Sequence, residues 1–199
     1  MWADESLMVL CRKGSTRALA KLLYRYKDRL LAFIYSVVRD RHLAEDIFQE
    51  TFLRVYRQAD RFDPARRFKT WLYTIALNLC RDELKKSRRH LQFTLDEAMG
   101  KEDEGGCRPV EWIKDGKPGP PETAWEHELE GILRGKLDRL SSSHREVVIM
   151  SRMLGMKCEE IAEILVVPAG TVRSRLHYAL IELKSELKKS FPGFEKGVL

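Results

Sequence analysis

The sequence is short of several things that would mark an enzyme, a secreted protein or a membrane protein. Its four cysteines, Cys11, Cys80, Cys107 and Cys158, are far apart and form no C-x-x-C pair. Without clustered Cys and His ligands neither a zinc site nor a disulfide framework is expected, and no metal or cofactor is assigned. Apolar runs are short: the longest, Leu30 to Tyr35, is well below the roughly 20 residues that a membrane span needs. The first residues carry Asp4 and Glu5 and no apolar segment of the kind found in signal peptides, so a cytoplasmic protein without membrane insertion is expected. Strand-type alternation of polar and apolar residues is also missing, which leaves an all-α chain.

What is present suits two small helical domains. Hydrophobic residues make up 44% of the 199 and charged residues 33%, enough apolar side chains for a core and too many for a disordered chain. The net charge of +6 is unevenly spread. Residues 91–128 hold 10 acidic and 4 basic side chains, so the remainder carries 32 basic against 20 acidic. Two basic blocks therefore flank an acidic connector, a balance that points to a polyanionic partner. Five of the 12 glycines and four of the seven prolines fall between Asp96 and Thr123. Helical periodicity stops there, so the expected organisation is a domain over 1–95, a flexible linker over 96–123 and a second domain over 124–199.

In the first domain Leu19, Leu22, Leu23, Tyr26, Leu30, Phe33, Ile34 and Val37 recur at three- and four-residue spacing, the buried stripe of a long helix entered after the Gly14-Ser15 turn. A second helix spans roughly Leu43 to Gln58, and a third starts near Thr70 and buries Leu72, Ile75, Ala76 and Leu79. The residues from Arg61 to Arg67 break the pattern and read as a loop. The second domain opens with a helix carrying Leu129, Ile132, Leu133 and Leu137. A helix follows in which Ser143 is expected as the cap, with Glu146 reaching back, and it should end at Gly155. Helices over Cys158 to Leu165 and about Ala169 to Lys188 then enclose a short turn, the pattern of a helix-turn-helix.

Three surfaces carry candidate chemistry. On the last helix Val172, Leu176, Ala179 and Leu183 face inward, leaving Thr171, Arg173, Ser174, Arg175 and His177 largely outside. Such residues can read base edges in a major groove, although a solvated basic face has the same composition. On the third helix Trp71, Thr74, Asn78, Arg81 and Lys85 share one face. Rings stack on unpaired bases while cations track phosphates, so this face suits single-stranded DNA; alternatively Trp71 belongs to the core. The second helix carries Glu45, Asp46, Gln49, Glu50 and Arg54. Clustered carboxylates can bind metal or act as acid and base, which makes a nuclease conceivable. Gln49 and Arg54 are poor ligands, however, and a polar face that docks a partner explains the mixture better.

Taken together the motifs resemble those of the extracytoplasmic-function (ECF) sigma factors of bacterial RNA polymerase. Ala44 to Arg54 (AEDIFQETFLR) is similar to the helix with which these factors bind the clamp helices of the polymerase. Phe68 to Asn78 (FKTWLYTIALN) resembles their promoter-melting and minus-10 segment, with Arg81 to Arg89 as its basic continuation. Glu159 to Leu165 and Gly170 to Leu176 resemble the helix-turn-helix that reads the minus-35 element. The resemblance implies that Asp46, Gln49, Glu50, Phe52 and Arg54 form or support the surface for core polymerase. It implies minus-10 contacts from Phe62, Asp63, Trp71, Asn78, Arg81 and Lys85, the loop from about Arg61 to Phe68 capturing a flipped-out base. It implies minus-35 contacts from Thr171, Arg173, Ser174, Arg175 and His177. Core polymerase would supply all chemistry, promoter DNA would be the second partner, and an anti-sigma factor would hold the protein inactive.

The sequence also departs from the family's pattern. Lys157 stands where a capping Ser or Thr is usual, and an ammonium cannot accept the bond from a backbone N–H. Val166 replaces a common turn glycine, so the turn is expected to avoid positive φ. Tyr178 and Leu180 occupy places often held by arginine, which weakens the expected grip on phosphates. The rival readings are a stand-alone helix-turn-helix regulator binding duplex DNA as a dimer, and a DNA-processing enzyme using Glu45, Asp46 and Glu50.

Overall fold

The structure, a computed structural model, describes residues 2–97, 135–137 and 139–190, and among them every regular element is helical. The chain divides into two compact units, Met1–Val110 and Glu111–Leu199. The apolar positions Leu129, Ile132 and Leu133 and nearly all of the expected linker lie outside the described residues.

In the first unit α1 (Asp4–Arg12) comes before the long helix that the sequence suggests, and it was not anticipated. It buries Leu7, Met8 and Cys11, one face of a short helix. Its acidic first turn and Arg12 in its last turn both complement the helix dipole. The chain leaves it through Gly14, whose φ of 85° a residue with a Cβ rarely adopts. Ser15 then caps α2 (Thr16–Val38), accepting a hydrogen bond from the Ala18 N–H. A two-residue connection, Arg39 and Asp40, leads to α3 (Arg41–Arg57), with the Asp40 carboxylate accepting from the Leu43 N–H at 2.8 Å. A single 3-10 turn (Ala59–Arg61) and a loop lead to α4 (Phe68–Glu97).

α4 packs against α1, α2 and α3 together. That position explains why it buries more than the single stripe expected: Phe68, Leu72, Tyr73, Ala76, Leu77, Leu79 and Cys80 are all buried, whereas Ile75 is only half-buried. Phe33 meets Tyr73 edge-on at 5.1 Å and Tyr26 meets Phe68 at 5.5 Å. Large side chains buried in this way contribute about 1.5–3 kcal/mol each. Burial raises the Tyr73 hydroxyl pKa above its ordinary value, so it stays protonated. The helix also runs through Glu97, past the expected start of the linker at Asp96.

In the second unit α5 (Ser142–Val148) is capped by Ser141, which accepts from the His144 N–H, and not by Ser143. It continues into a wider π turn (Ile149–Met153). There the Leu154 N–H reaches back to the Ile149 carbonyl, and Gly155, at φ 60°, ends the run as expected. α6 (Cys158–Leu165) and α7 (Ala169–Ser190) follow. The Lys157 ammonium accepts nothing at the start of α6; the Glu160 carboxylate instead accepts from the Lys157 N–H at 2.8 Å, supplying half of a capping box. The turn overturns one expectation. Val166 adopts φ 55°, ψ 50°, so the chain enters the left-handed region although a β-branched residue resists it. The inward face of α7 is as expected, with Val172, Ala179 and Leu183 buried. Ala179 and Leu183 join Leu140 and Val148 in a cluster that Leu137 and Leu176 partly cover.

Candidate nucleic-acid and partner surfaces

The α3 residues divide by burial. Ala44, Ile47, Thr51, Phe52 and Val55 face the core, and the buried Thr51 hydroxyl donates to the Ile47 carbonyl at 2.7 Å. Asp46 and Gln49 lie on the other side, and Glu50 and Arg54 are joined at 2.9 Å. Arg41 and Glu45 form a second pair of the same spacing at 3.2 Å. Two of the three candidate carboxylates are paired with arginines, and among the described residues no three His, Cys, Asp or Glu side chains are grouped to hold a metal ion, so the face is a stripe of mixed charge. Phe52 is 4% exposed and packs at a tilt against Phe48, 5.2 Å between rings, beneath the stripe. Leu53 and Tyr56, both large and exposed, extend the stripe with apolar area that helical spacing alone did not single out.

The loop before α4 is an aromatic corner. Phe62 is 5% exposed, with its ring 5.1 Å from Trp71 and 6.0 Å from Phe68. It therefore acts as a wedge that fixes the loop and not as an open stacking platform. Asp63 is exposed, and its carboxylate accepts from the Ala65 N–H at 2.9 Å, a local turn that leaves its other oxygen outward, 4.0 Å from Arg66. Trp71 is half-buried, so both readings of it hold in part: one side packs on Phe62 and Phe68 while part of the ring faces solvent. Asn78, Arg81 and Lys85 continue outward along α4 and are exposed. Thr74 is half-buried, its hydroxyl donating to the Thr70 carbonyl at 2.8 Å.

α7 carries the third surface. Arg173, Ser174 and His177 are exposed and Thr171 and Arg175 half-buried. The Pro168 carbonyl accepts from the N–H groups of Thr171 and Val172, which starts the helix squarely behind these side chains. Arg173 donates to the Glu159 carboxylate of α6 at 2.8 Å, a link across the helix-turn-helix that the sequence pattern did not suggest. A backbone hydrogen bond at Glu159 and the Arg173 guanidinium hold that carboxyl below the usual range. Tyr178 is 61% exposed and meets His177 edge-on at 5.6 Å, while Leu180 is half-buried. Further along α7, Glu186 accepts from Lys189, Lys136 and Arg139, which holds its carboxyl at about 2 and ties the helical residues before Leu140 to α7.

Comparison with known proteins gives a consistent picture. Residues 22–90 match the Sigma-70 region 2 family and residues 130–183 match Sigma-70, region 4. The ECF RNA polymerase sigma factor SigW of Bacillus subtilis (strain 168) is 34% identical over 178 residues, 89% of this chain and 92% of that one. RNA polymerase sigma factor CarQ of Myxococcus xanthus is 32% identical over 176 residues, 88% and 92% of the two chains. The fold resembles that of CnrH, a sigma factor of Cupriavidus metallidurans solved with the cytosolic domain of CnrY. That likeness has a TM-score of 0.68 at 24% identity, over 94% of this chain and 99% of that one. It also resembles sigma factor RpoE of Bartonella quintana, solved with the anti-sigma factor NepR, at a TM-score of 0.64 and 24% identity over 85% and 96%.

Proposed function

The chain belongs to the ECF sigma factors of RNA polymerase, and on that premise we propose how its residues divide the work of promoter recognition. Asp46, Gln49, Glu50 and Arg54, backed by Phe52, bind core polymerase. Asp63 and Trp71, wedged from behind by Phe62, take an unpaired minus-10 base, and Asn78, Arg81 and Lys85 track the melted strand along α4. Thr171, Arg173, Ser174, Arg175 and His177 read the minus-35 element. The protein itself breaks no covalent bond; its contribution is binding energy that favours the opened promoter. An anti-sigma factor restrains it, a reading supported by RpoE, a protein of similar fold solved in complex with one.

The observation that carries this reading is the α4 face, where an aromatic corner gives way to an exposed amide and cations on one helix. Stacking of about 1–3 kcal/mol per base there offsets part of the cost of unpairing. Transcription from promoter fragments with core polymerase tests it. Asn78→Ala and Arg81→Ala should lower open-complex formation on duplex promoters, and a promoter opened beforehand by mismatches should recover part of the loss. Equal loss on both templates would place these residues outside melting. Tight binding of the chain alone to duplex promoters would favour the stand-alone regulator instead.

A further inference from the structure

Glu5 sits on α1, yet its carboxylate accepts a hydrogen bond from the Phe68 N–H at 3.0 Å. Phe68 is the first residue of α4, so the bond fills one of the four N–H groups that a helix start leaves without an intrahelical partner. A negative charge at that point also matches the positive end of the α4 dipole. The carboxylate is held in place from behind. Leu7, Met8 and Cys11 bury one side of α1, and the neighbouring Asp4 accepts from the Tyr26 hydroxyl at 2.5 Å and pairs with Arg25. α1 also packs against the 3-10 turn Ala59–Arg61. The two ends of the loop Phe62–Arg67 therefore both rest on α1: the turn that precedes the loop and the helix start that follows it.

We propose that Glu5 is a positioning residue for minus-10 recognition: its carboxylate clasps the first turn of α4 and so fixes how Asp63 and Trp71 are presented to an unpaired base. This rests on the role given to Asp63 and Trp71 above. Phe62 packs against Phe68 and Trp71, and the buried Phe68 ring, edge-on to Tyr26, seats the first turn of α4 in the core. The clasp adds a directional polar contact to the backbone of that turn, which apolar packing does not provide. Glu5 contacts no DNA; it acts through the backbone of Phe68.

The test uses the full chain bound to core polymerase and fluorescent single-stranded minus-10 oligonucleotides carrying each base in turn at each position. Glu5→Ala should leave a folded protein that loses about tenfold of its discrimination at the captured position, the scale set by removing a charged helix cap. Glu5→Gln keeps an acceptor but not the charge and should fall between. Asp4→Asn weakens the anchoring of α1 that holds Glu5 in place and should lower the discrimination in the same direction, by less than Glu5→Ala. An unchanged discrimination ratio in Glu5→Ala overturns the proposal, as does an equal fall in affinity for every oligonucleotide, which would make Glu5 a general support. Should Glu5→Ala fail to fold, the ratio in Glu5→Gln decides alone. Asp63→Ala and Trp71→Ala are run beside them: if neither moves any ratio, the base is read elsewhere and the underlying assignment fails with the proposal.

Discussion

Replacing Val166 with glycine should make the second unit more stable, against the usual outcome of removing a branched apolar side chain. Val166 ends α6 at φ 55°, ψ 50°, and its side chain is 85% exposed. Almost no burial is lost with it, so the hydrophobic term is close to nothing. The left-handed conformation costs an L-residue roughly 1–2 kcal/mol, most of which glycine avoids. Glycine is freer in the unfolded chain, which takes back about 0.5–1 kcal/mol. The balance is a gain of about 1 kcal/mol. Native-state hydrogen exchange reads it directly, because the slowest amides of α6 and α7 open only with the whole unit. Those of Ile161, Ile164, Val172 and Ala179 should exchange about fivefold more slowly, the factor that about 1 kcal/mol represents. Val166→Ala keeps the Cβ and should gain little, while Val166→Asn, which tolerates the left-handed region, should lie between. Faster exchange in Val166→Gly would refute the reasoning, since it would mean that the exposed side chain stabilises the turn in a way its surroundings do not account for.

Three further outcomes follow from the described geometry. Charge reversal by Asp46→Lys with Glu50→Lys should weaken competition for core polymerase by about tenfold, because it inverts the exposed stripe and sets a second cation beside Arg54; unchanged competition would remove α3 from that interface. Glu186 titrates at about 2 in the folded chain against an ordinary 4.5, so its contribution to stability is complete above 4.5 and lost as the pH falls towards 2. Glu186→Gln should therefore flatten the acid dependence of exchange in α7 across that window, and an unaltered profile would show that its three cations do not matter. Tyr178→Arg should steepen the salt dependence of duplex binding by about 0.9 in the log–log slope if position 178 faces phosphate; an unchanged slope in folded protein places it elsewhere.

Much of the fold was legible because its helices carry full apolar stripes with caps at their ends. α2 follows from its apolar spacing and Ser15, and α6 from Cys158 to Leu165 agrees with its sequence pattern at both ends. α1 was missed because nine residues offer only Leu7, Met8 and Cys11 as a stripe, although acidic residues in its first turn and Gly14 after it mark both ends. Three consecutive serines, 141–143, offer the same capping group, and the expectation of Ser143 was two positions late: the cap is Ser141, directly after the buried Leu140. Phe62 shows where period runs out: it belongs to a site segment by sequence, and only packing against Phe68 and Trp71 turns it inward, whereas the helical spacing of Ala44, Ile47, Thr51, Phe52 and Val55 already puts Phe52 on the inner face of α3. At Val166 tertiary demand overrides local preference, since Ile164 and Leu165 before the turn and Val172 after it are all buried and the backbone between them must reverse within a few residues.

The ion pairs bear on why such a protein would act through polymerase. Arg173 and Glu159 are 63% and 62% exposed, and a pair so open to water is screened and adds little to stability. On the minus-35 role proposed for Arg173, DNA takes the side chain from Glu159 at small cost, because so exposed a pair holds it only weakly. Around it α7 offers Arg173, Arg175 and His177, with Tyr178 and Leu180 in the following turn, so few phosphates can be neutralised. The α4 face carries more charge, with Arg81, Lys85, Lys86 and Arg89 exposed on one helix, and each surface lies on its own unit. Two weak sites held at a fixed spacing by a third body gain an effective concentration in the millimolar range, which multiplies their affinities without a new contact. On the role proposed for the α3 stripe, docking on core polymerase fixes that spacing and makes tight promoter binding conditional on the polymerase being present.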